Sequence, residues 1–347
     1  MKPVSLWFTL ILLVCSVSAI NAQEAVSARK VIEALKNKKC DQAFRMVSRV
    51  TDLNEKDKAG GTILMYSSVS GCIEVAVWLL EKGALVDLKS NEGFTALHMA
   101  SRNGHPDIVK ALLEKRAKPD ELTLTNTTAL YMASQQGHTG ILSLLLEYGA
   151  SIDFKSNEEF TALYIAAQYG KTDAVKLLIE KGAKLEIPTS RNATPLFIAS
   201  SAGYTEIVKI LIDAGANLEA GTRRGATPLF VSAQDGRTEV VKLLLEKGAN
   251  ARMSTNDGMN PLLAASLRGH SQVVRLLLDY NADINSATPL GATALMIASA
   301  NGHTEVLKVL LDRGADTALR NQSGKSAADV AANDEIKNLL TNYIRKL

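Results

Sequence analysis

Five histidines and three cysteines are the residues of this chain best suited to metal binding, general-base work or thiol chemistry. Such groups act in sets: a structural zinc needs four converging ligands, and a nucleophile needs a base beside it. The spacing here points elsewhere. His105 and His138 are 33 residues apart, as are His270 and His303, and each of the four follows a glycine. His98 stands three residues after Thr95. Every histidine therefore has its place in a repeating pattern, and none stands where the pattern does not call for one. No Cys/His set has zinc spacing, and there is no glycine-rich phosphate loop or nucleophile-elbow serine. The sequence predicts neither catalysis nor a metal, a cofactor or a small-molecule substrate.

The elements that carry these residues are set by the same interval. A helix-opening position recurs every 33 residues at Thr62, Thr95, Thr128, Thr161, Thr194, Thr227, Asn260, Thr293 and Ser326. A second series keeps the register at another phase: Gly83, Gly149, Gly182, Gly215, Gly248 and Gly314, with Arg116 and Asn281 in its two gaps. A fixed period of this length marks stacked supersecondary units that each bury their apolar face on a neighbour. Function is then to be sought on a surface.

One unit reads Ala226-Thr227-Pro228-Leu229-Phe230-Val231-Ser232-Ala233, then Gly236-Arg237-Thr238-Glu239-Val240-Val241-Lys242-Leu243-Leu244-Leu245-Glu246-Lys247-Gly248-Ala249. Thr227 can cap a first helix, and Pro228 loses nothing at its first position, where the amide is unpaired anyway. Val240, Val241, Leu243, Leu244 and Leu245 form a broad apolar stripe on a second helix. Gly248 then ends that helix in a left-handed turn; Asn281 tolerates this conformation, and Arg116 predicts local strain.

This pattern resembles the ankyrin repeat family, over eight full copies between about residues 61 and 324. The resemblance implies an all-α repeat solenoid, an ankyrin-repeat stack of helix-turn-helix units with projecting β-hairpin or turn tips. The expected organisation is a signal peptide over residues 1–22, an N-terminal capping helix pair over 23–60, repeats over 61–324 and a C-terminal capping repeat over 325–347.

Lys2 followed by the apolar run from Val4 to Val17, with small residues Ala19 and Ala22, has the form of a secretory signal cleaved after Ala22. The run is shorter than the roughly 20 residues a spanning helix needs. The expected destination is the periplasm or the secreted space. Losing residues 1–22 removes one lysine and no acid, so the processed chain stays near neutral, and its lysines are scattered over the second helices. That balance gives no nucleic-acid footprint. Cys40 and Cys72 remain, at nearly matching places in adjacent units. Helices packed roughly 8 to 10 Å apart exceed the roughly 7 Å limit for bridging two Cα atoms, unless the first unit is displaced inward. A disulfide and two packed thiols both stay open.

In ankyrin proteins partners usually meet the hairpin tips and the exposed positions of the first helices. By resemblance these lie four, three and one before the capping residue, and seven and eight after it. The candidate contact residues are Phe94, Arg102, Phe160, Gln168, Tyr169, Arg191, Arg223, Arg224, Gln234, Asp235, Met259 and Arg268. Aromatics and arginines dominate interface energetics, so the patch centres on Phe160, Tyr169, Arg191, Arg223, Arg224 and Arg268. A ladder three residues after each cap (Met65, His98, Tyr131, Tyr164, Phe197, Phe230, Leu263 and Met296) is expected in the core. The triplets opening at Asn126, Asn192 and Asn321 have the form of glycosylation acceptors and fall where the repeat itself supplies them. The whole predicts a monomeric, non-catalytic protein-binding scaffold. A secreted effector or a structural envelope component fits the same sequence.

Overall fold

The computed structural model describes residues 25–344, so the expected signal over 1–22 and the basic residues Arg345 and Lys346 lie outside the described residues. The described chain is all-helical, with nineteen helices. The N-terminal pair is α1 (Ala28–Lys36) and α2 (Cys40–Val47). First and second helices then alternate: α3 (Ile63–Ser70), α4 (Ile73–Glu81), α5 (Ala96–Asn103), α6 (Pro106–Glu114), α7 (Ala129–Gln136) and α8 (Thr139–Glu147). The series continues with α9 (Ala162–Gln168), α10 (Thr172–Glu180), α11 (Pro195–Ala202), α12 (Thr205–Asp213), α13 (Pro228–Gln234) and α14 (Thr238–Glu246). It closes with α15 (Pro261–Arg268), α16 (Ser271–Asp279), α17 (Ala294–Ala300), α18 (Thr304–Asp312) and α19 (Asp334–Ile344).

Two compact units make up the chain. One runs up to Ala133 and includes Gly140–Ala150; the other holds Ser134–Thr139 and the chain from Ser151 on. Within the second, first helices pack on first helices (α9, α11, α13, α15, α17) and second helices on second helices (α10, α12, α14, α16, α18). The first unit repeats this with α1, α3 and α5 against α2, α4 and α6.

The capping threonines do what their spacing predicts. Thr62, Thr95, Thr161, Thr194, Thr227, Asn260 and Thr293 each have extended backbone and accept a hydrogen bond from the amide three residues on. Thr128 does the same for Tyr131 at 3.2 Å. Behind the caps, Val240, Val241, Leu244 and Leu245 of α14 are buried while Leu243 is half-buried, so the stripe is slightly narrower than the sequence suggests. In the ladder, His98, Tyr164, Phe230, Leu263, Met65 and Met296 are buried, and Tyr131 and Phe197 half-buried.

Of the hairpin or turn tips expected, the described residues show turns. The only bridge outside the helices among the described residues joins Ala287 and Thr293. At several tips the main-chain donors go two ways. Thr222 N–H bonds Ala226 O at 3.0 Å within its tip, but Arg223 N–H leaves for Arg191 O of the preceding tip at 3.0 Å. Asn256 N–H likewise reaches Arg224 O at 2.9 Å, Gln322 N–H reaches Leu290 O at 3.0 Å and, in the first unit, Leu124 N–H reaches Glu92 O at 3.0 Å. One expectation needs correction: Ser326 opens a turn over 327–330 instead of a helix, with its hydroxyl donating to Asp329 Oδ2 at 2.7 Å. Only α19 follows there.

At several junctions the residue that opens the second helix staples neighbouring helix pairs together. His105 Nε2 lies 3.1 Å from Val69 O, His270 Nε2 3.1 Å from Gln234 O and His303 Nε2 3.0 Å from Leu267 O, each 36 residues back. Arg237 uses Nε on Ser201 O at 2.9 Å in the same way. The rings lie so close to the glycine of the preceding pair that a Cβ on Gly236 would stand 2.7 Å from His270. Cys72 holds this position at the first junction, and there the link is covalent: a disulfide to Cys40, with the Cα atoms 5.3 Å apart.

Candidate partner-binding surface

Within the second unit, the candidate residues fall into two rows at opposite ends of the first helices. The tip row holds Phe160, Arg191, Arg223, Arg224 and Met259. Ser156 fixes the first tip: its amide donates to Phe160 O at 3.0 Å and its Oγ accepts from Phe160 N at 3.2 Å. The Phe160 ring then stacks on Tyr164, centroids 4.7 Å apart and planes 19° off parallel. Burial pushes the Tyr164 phenol up from its ordinary pKa, while the nearby Arg191 charge opposes this and Glu158 adds to it. Arg191 therefore sits beside the aromatic stack.

Arg191, Arg223 and Arg224 are exposed and lie on adjacent tips tied by main-chain bonds. Asn192 Nδ2 donates to Gly221 O at 2.6 Å, and Asn256 Nδ2 to Arg223 O at 3.0 Å, holding the tips further. None of the three guanidinium groups has a carboxylate within 4.0 Å among the described residues. The lysines of the second helices behave differently: Lys209 and Lys247 both pair with Asp213 at 2.9 Å, and Lys176 with Glu206 at 3.5 Å.

The other row lies one helix length away, roughly 10 Å for a seven-residue helix such as α9. It holds Gln168, Tyr169, Gln234, Asp235 and Arg268. Tyr169, 49% exposed, is the C-cap of α9, and Arg268 ends α15 beside the exposed Leu267. Asp235 Oδ2 accepts from Ser201 Oγ at 2.8 Å, so part of its hydrogen-bonding capacity is spent inside the row. The structure thus joins Arg191 to Arg223 and Arg224, and separates these from Tyr169 and Arg268. Phe94 and Arg102 belong to the first unit, where Phe94 meets His98 edge-on at 6.2 Å and Arg102 is exposed.

Sequence reasoning missed Tyr204. It is 39% exposed and packs its ring against Gly170, the next residue after Tyr169. The signal was present, since Tyr204 occupies the position where other units carry Cys, His, Lys or Arg, and a Tyr there puts an aromatic ring against the glycine that follows Tyr169.

The titratable groups do not form a reactive set. His98, 1% exposed, has Nδ1 3.1 Å from Thr95 N–H and Nε2 3.2 Å from Thr127 O, which fixes the Nε2–H tautomer. Burial lowers its pKa to about 4. No group of three or more His, Cys, Asp or Glu residues among the described residues is placed to hold a metal ion. No described helix is long and apolar enough to cross a membrane. A groove beside α1 is lined by Arg29, Glu33, Lys36, Lys56 and Asp57, whose charges largely offset one another, with Lys36 3.4 Å from Asp57.

Comparison with curated proteins gives no significant match. Among solved structures, the human ASB11 ankyrin repeat domain superposes with a TM-score of 0.58 at 28% identity, covering 62% of this chain and 98% of that one. The ankyrin repeat domain of Bcl-3, a member of the IkappaB protein family, gives 0.57 at 28% identity over the same shares. The family model for ankyrin repeats in three copies matches residues 31–123, 116–189, 186–254 and 248–321. Repeats of this kind are in general protein–protein interaction modules and typically non-enzymatic. With nearly all of the described helices inside those matches, and their caps and left-handed helix ends at the positions the pattern requires, the chain belongs to the ankyrin repeat family.

Proposed function

We propose that this protein is an exported, monomeric, non-catalytic adaptor of eight full ankyrin repeats, which binds a protein partner through the tips and exposed first-helix ends of its second unit. The observation that carries this is the set of three exposed arginines without carboxylate partners on adjacent, mutually bonded tips. Unpaired guanidinium forks and the exposed Tyr169 and Tyr204 rings are the residue types that supply interface energy. Export rests on the signal-like residues 1–22 and is supported by the Cys40–Cys72 disulfide, a bond that persists in oxidising compartments such as the periplasm or the extracellular space.

The test is capture of partners from the native compartment by the processed chain, beside a variant with Tyr169, Arg223 and Arg224 changed to alanine. A specific partner held by the parent and lost by the variant is the expected result. Equal retention by both, or no partner at all, overturns the adaptor assignment for this face. Fractionation of cells carrying the chain tests export: retention in the cytoplasm with residues 1–22 intact rules it out.

A further inference from the structure

We infer that the tip row from Arg191 to Arg224 recognises a short acidic segment of the protein partner, in extended conformation. This rests on the adaptor assignment above and specifies the chemistry of the partner.

Three features carry it. Arg191, Arg223 and Arg224 are exposed, on adjacent tips, with no acidic group in contact, while lysines on the second helices of the same unit are paired. An exposed cluster of like charge opposes its own assembly, and an external carboxylate relieves that repulsion while matching the planar guanidinium fork. The main chain holds the cluster in place: Arg223 N–H on Arg191 O and Asn256 N–H on Arg224 O, with Asn256 Nδ2 on Arg223 O, fix the three side-chain bases relative to one another. A ligand therefore need not first order the tips.

The cluster is also bounded. Glu158 flanks it on the Phe160 side, and Asp257, held by the Thr255 hydroxyl, flanks it on the other. These carboxylates repel acids beyond the row, which limits the acidic stretch to about one repeat spacing. That spacing is roughly 8 to 10 Å, and an extended chain advances about 3.3 Å per residue, so the matching segment carries two or three carboxylates within about four residues. The half-buried Phe160 ring, stacked on Tyr164 beside Arg191, offers an apolar residue of the segment a place next to the acids.

The experiment pans a phage-displayed random twelve-residue peptide library against the exported, purified protein. Selected peptides are then measured against an Arg191→Gln/Arg223→Gln/Arg224→Gln variant and a Lys176→Gln/Lys209→Gln/Lys242→Gln control that loses equal charge from the second helices. Matching thermal melts establish that both variants are folded. The expected result is selection of peptides with clustered Asp or Glu, which bind the arginine variant at least tenfold more weakly, bind the lysine control unchanged and weaken with added salt. The inference is overturned by selected peptides without acidic clusters or by equal loss in both variants. It is also overturned if a twenty-residue oligo-dT or phosphatidylglycerol vesicles show the same arginine dependence and displace the peptides. Should acidic selection fail while partner capture still depends on Tyr169, Arg223 and Arg224, the adaptor assignment stands and the acidic segment does not.

Discussion

Cys40 is bonded to Cys72 across the same kind of junction that, one helix pair later, His105 spans with a single hydrogen bond to Val69 O. The first junction thus replaces a contact worth about 1 kcal/mol with a covalent closure of a 32-residue separation. On the chain-entropy account a loop of that size contributes about 3 to 4 kcal/mol. Urea unfolding of the oxidised chain and of Cys72→Ser is expected to differ by this amount, with the loss confined to α1–α4 in hydrogen exchange. Equal exchange protection of α1 and α2 in the two forms would show that the bond does not hold the N-terminal pair.

His98 sets a pH dependence. The unfolded imidazole, near 6.5, takes up a proton that the folded one, held to about 4 by burial, refuses. Its contribution is therefore complete above pH 6.5 and is lost as pH falls toward 4, by about 3 kcal/mol at about 1.4 kcal/mol per unit. Stability measured between pH 7 and 4 should fall more steeply in the parent than in His98→Gln. An NMR titration with an ordinary midpoint near 6.5 would refute this.

Arg116 is forced into a left-handed conformation, φ 63°, at the position where Gly83 and Gly149 stand in the flanking pairs. A left-handed L-residue costs about 1 to 2 kcal/mol. Arg116→Gly is expected to raise stability by about 1 kcal/mol, after allowing for the freedom glycine gains when unfolded. An unchanged or lowered unfolding midpoint would count against it.

Two glycines with similar dihedrals should respond unequally to alanine. Gly236 (φ 68°) would drive its new Cβ into the His270 ring, whereas Gly248 (φ 92°) has nothing within 4 Å. Both pay the left-handed cost, but Gly236→Ala also displaces His270 from Gln234 O, adding about 1 kcal/mol. Equal destabilisation would mean that the imidazole staple contributes nothing.

Tyr169 and Arg224 lie at opposite ends of the first helices, so their contributions to partner binding should add. A double-mutant cycle is expected to close within about 0.5 kcal/mol. A larger coupling would place both under one contact of the partner.

The period was legible because each cap is a local event: Thr227 needs only the Phe230 amide, 3.2 Å away, to start its helix. The geometry between units was less so. Helix spacing left the Cys40–Cys72 bond undecided, because that spacing is measured between axes. With Cα atoms about 2.3 Å off each axis, facing positions on helices 10 Å apart approach to about 5 Å, close to the 5.3 Å observed. The split of the candidate patch was hidden for a related reason. Offsets of three before and eight after a cap look alike in one-dimensional numbering, although a whole helix separates Arg224 from the row of Tyr169. Tyr204 escaped notice because its position was read through the histidines that fill it in four other units.

Main-chain bonds join neighbouring tips, as from Leu124 to Glu92 and from Asn256 to Arg224, and only a few side-chain amides such as those of Asn192 and Asn256 add to them. Pro289, which has no amide hydrogen to give, interrupts this series of bonds without disturbing the repeat. At tip positions such as Arg191, Arg223 and Arg224, what is displayed is thereby uncoupled from what holds the tips up. Successive substitutions at these places can rewrite the vocabulary of recognition while the frame beneath is left intact, so two descendants of this chain could share every cap and buried leucine and yet keep entirely different company.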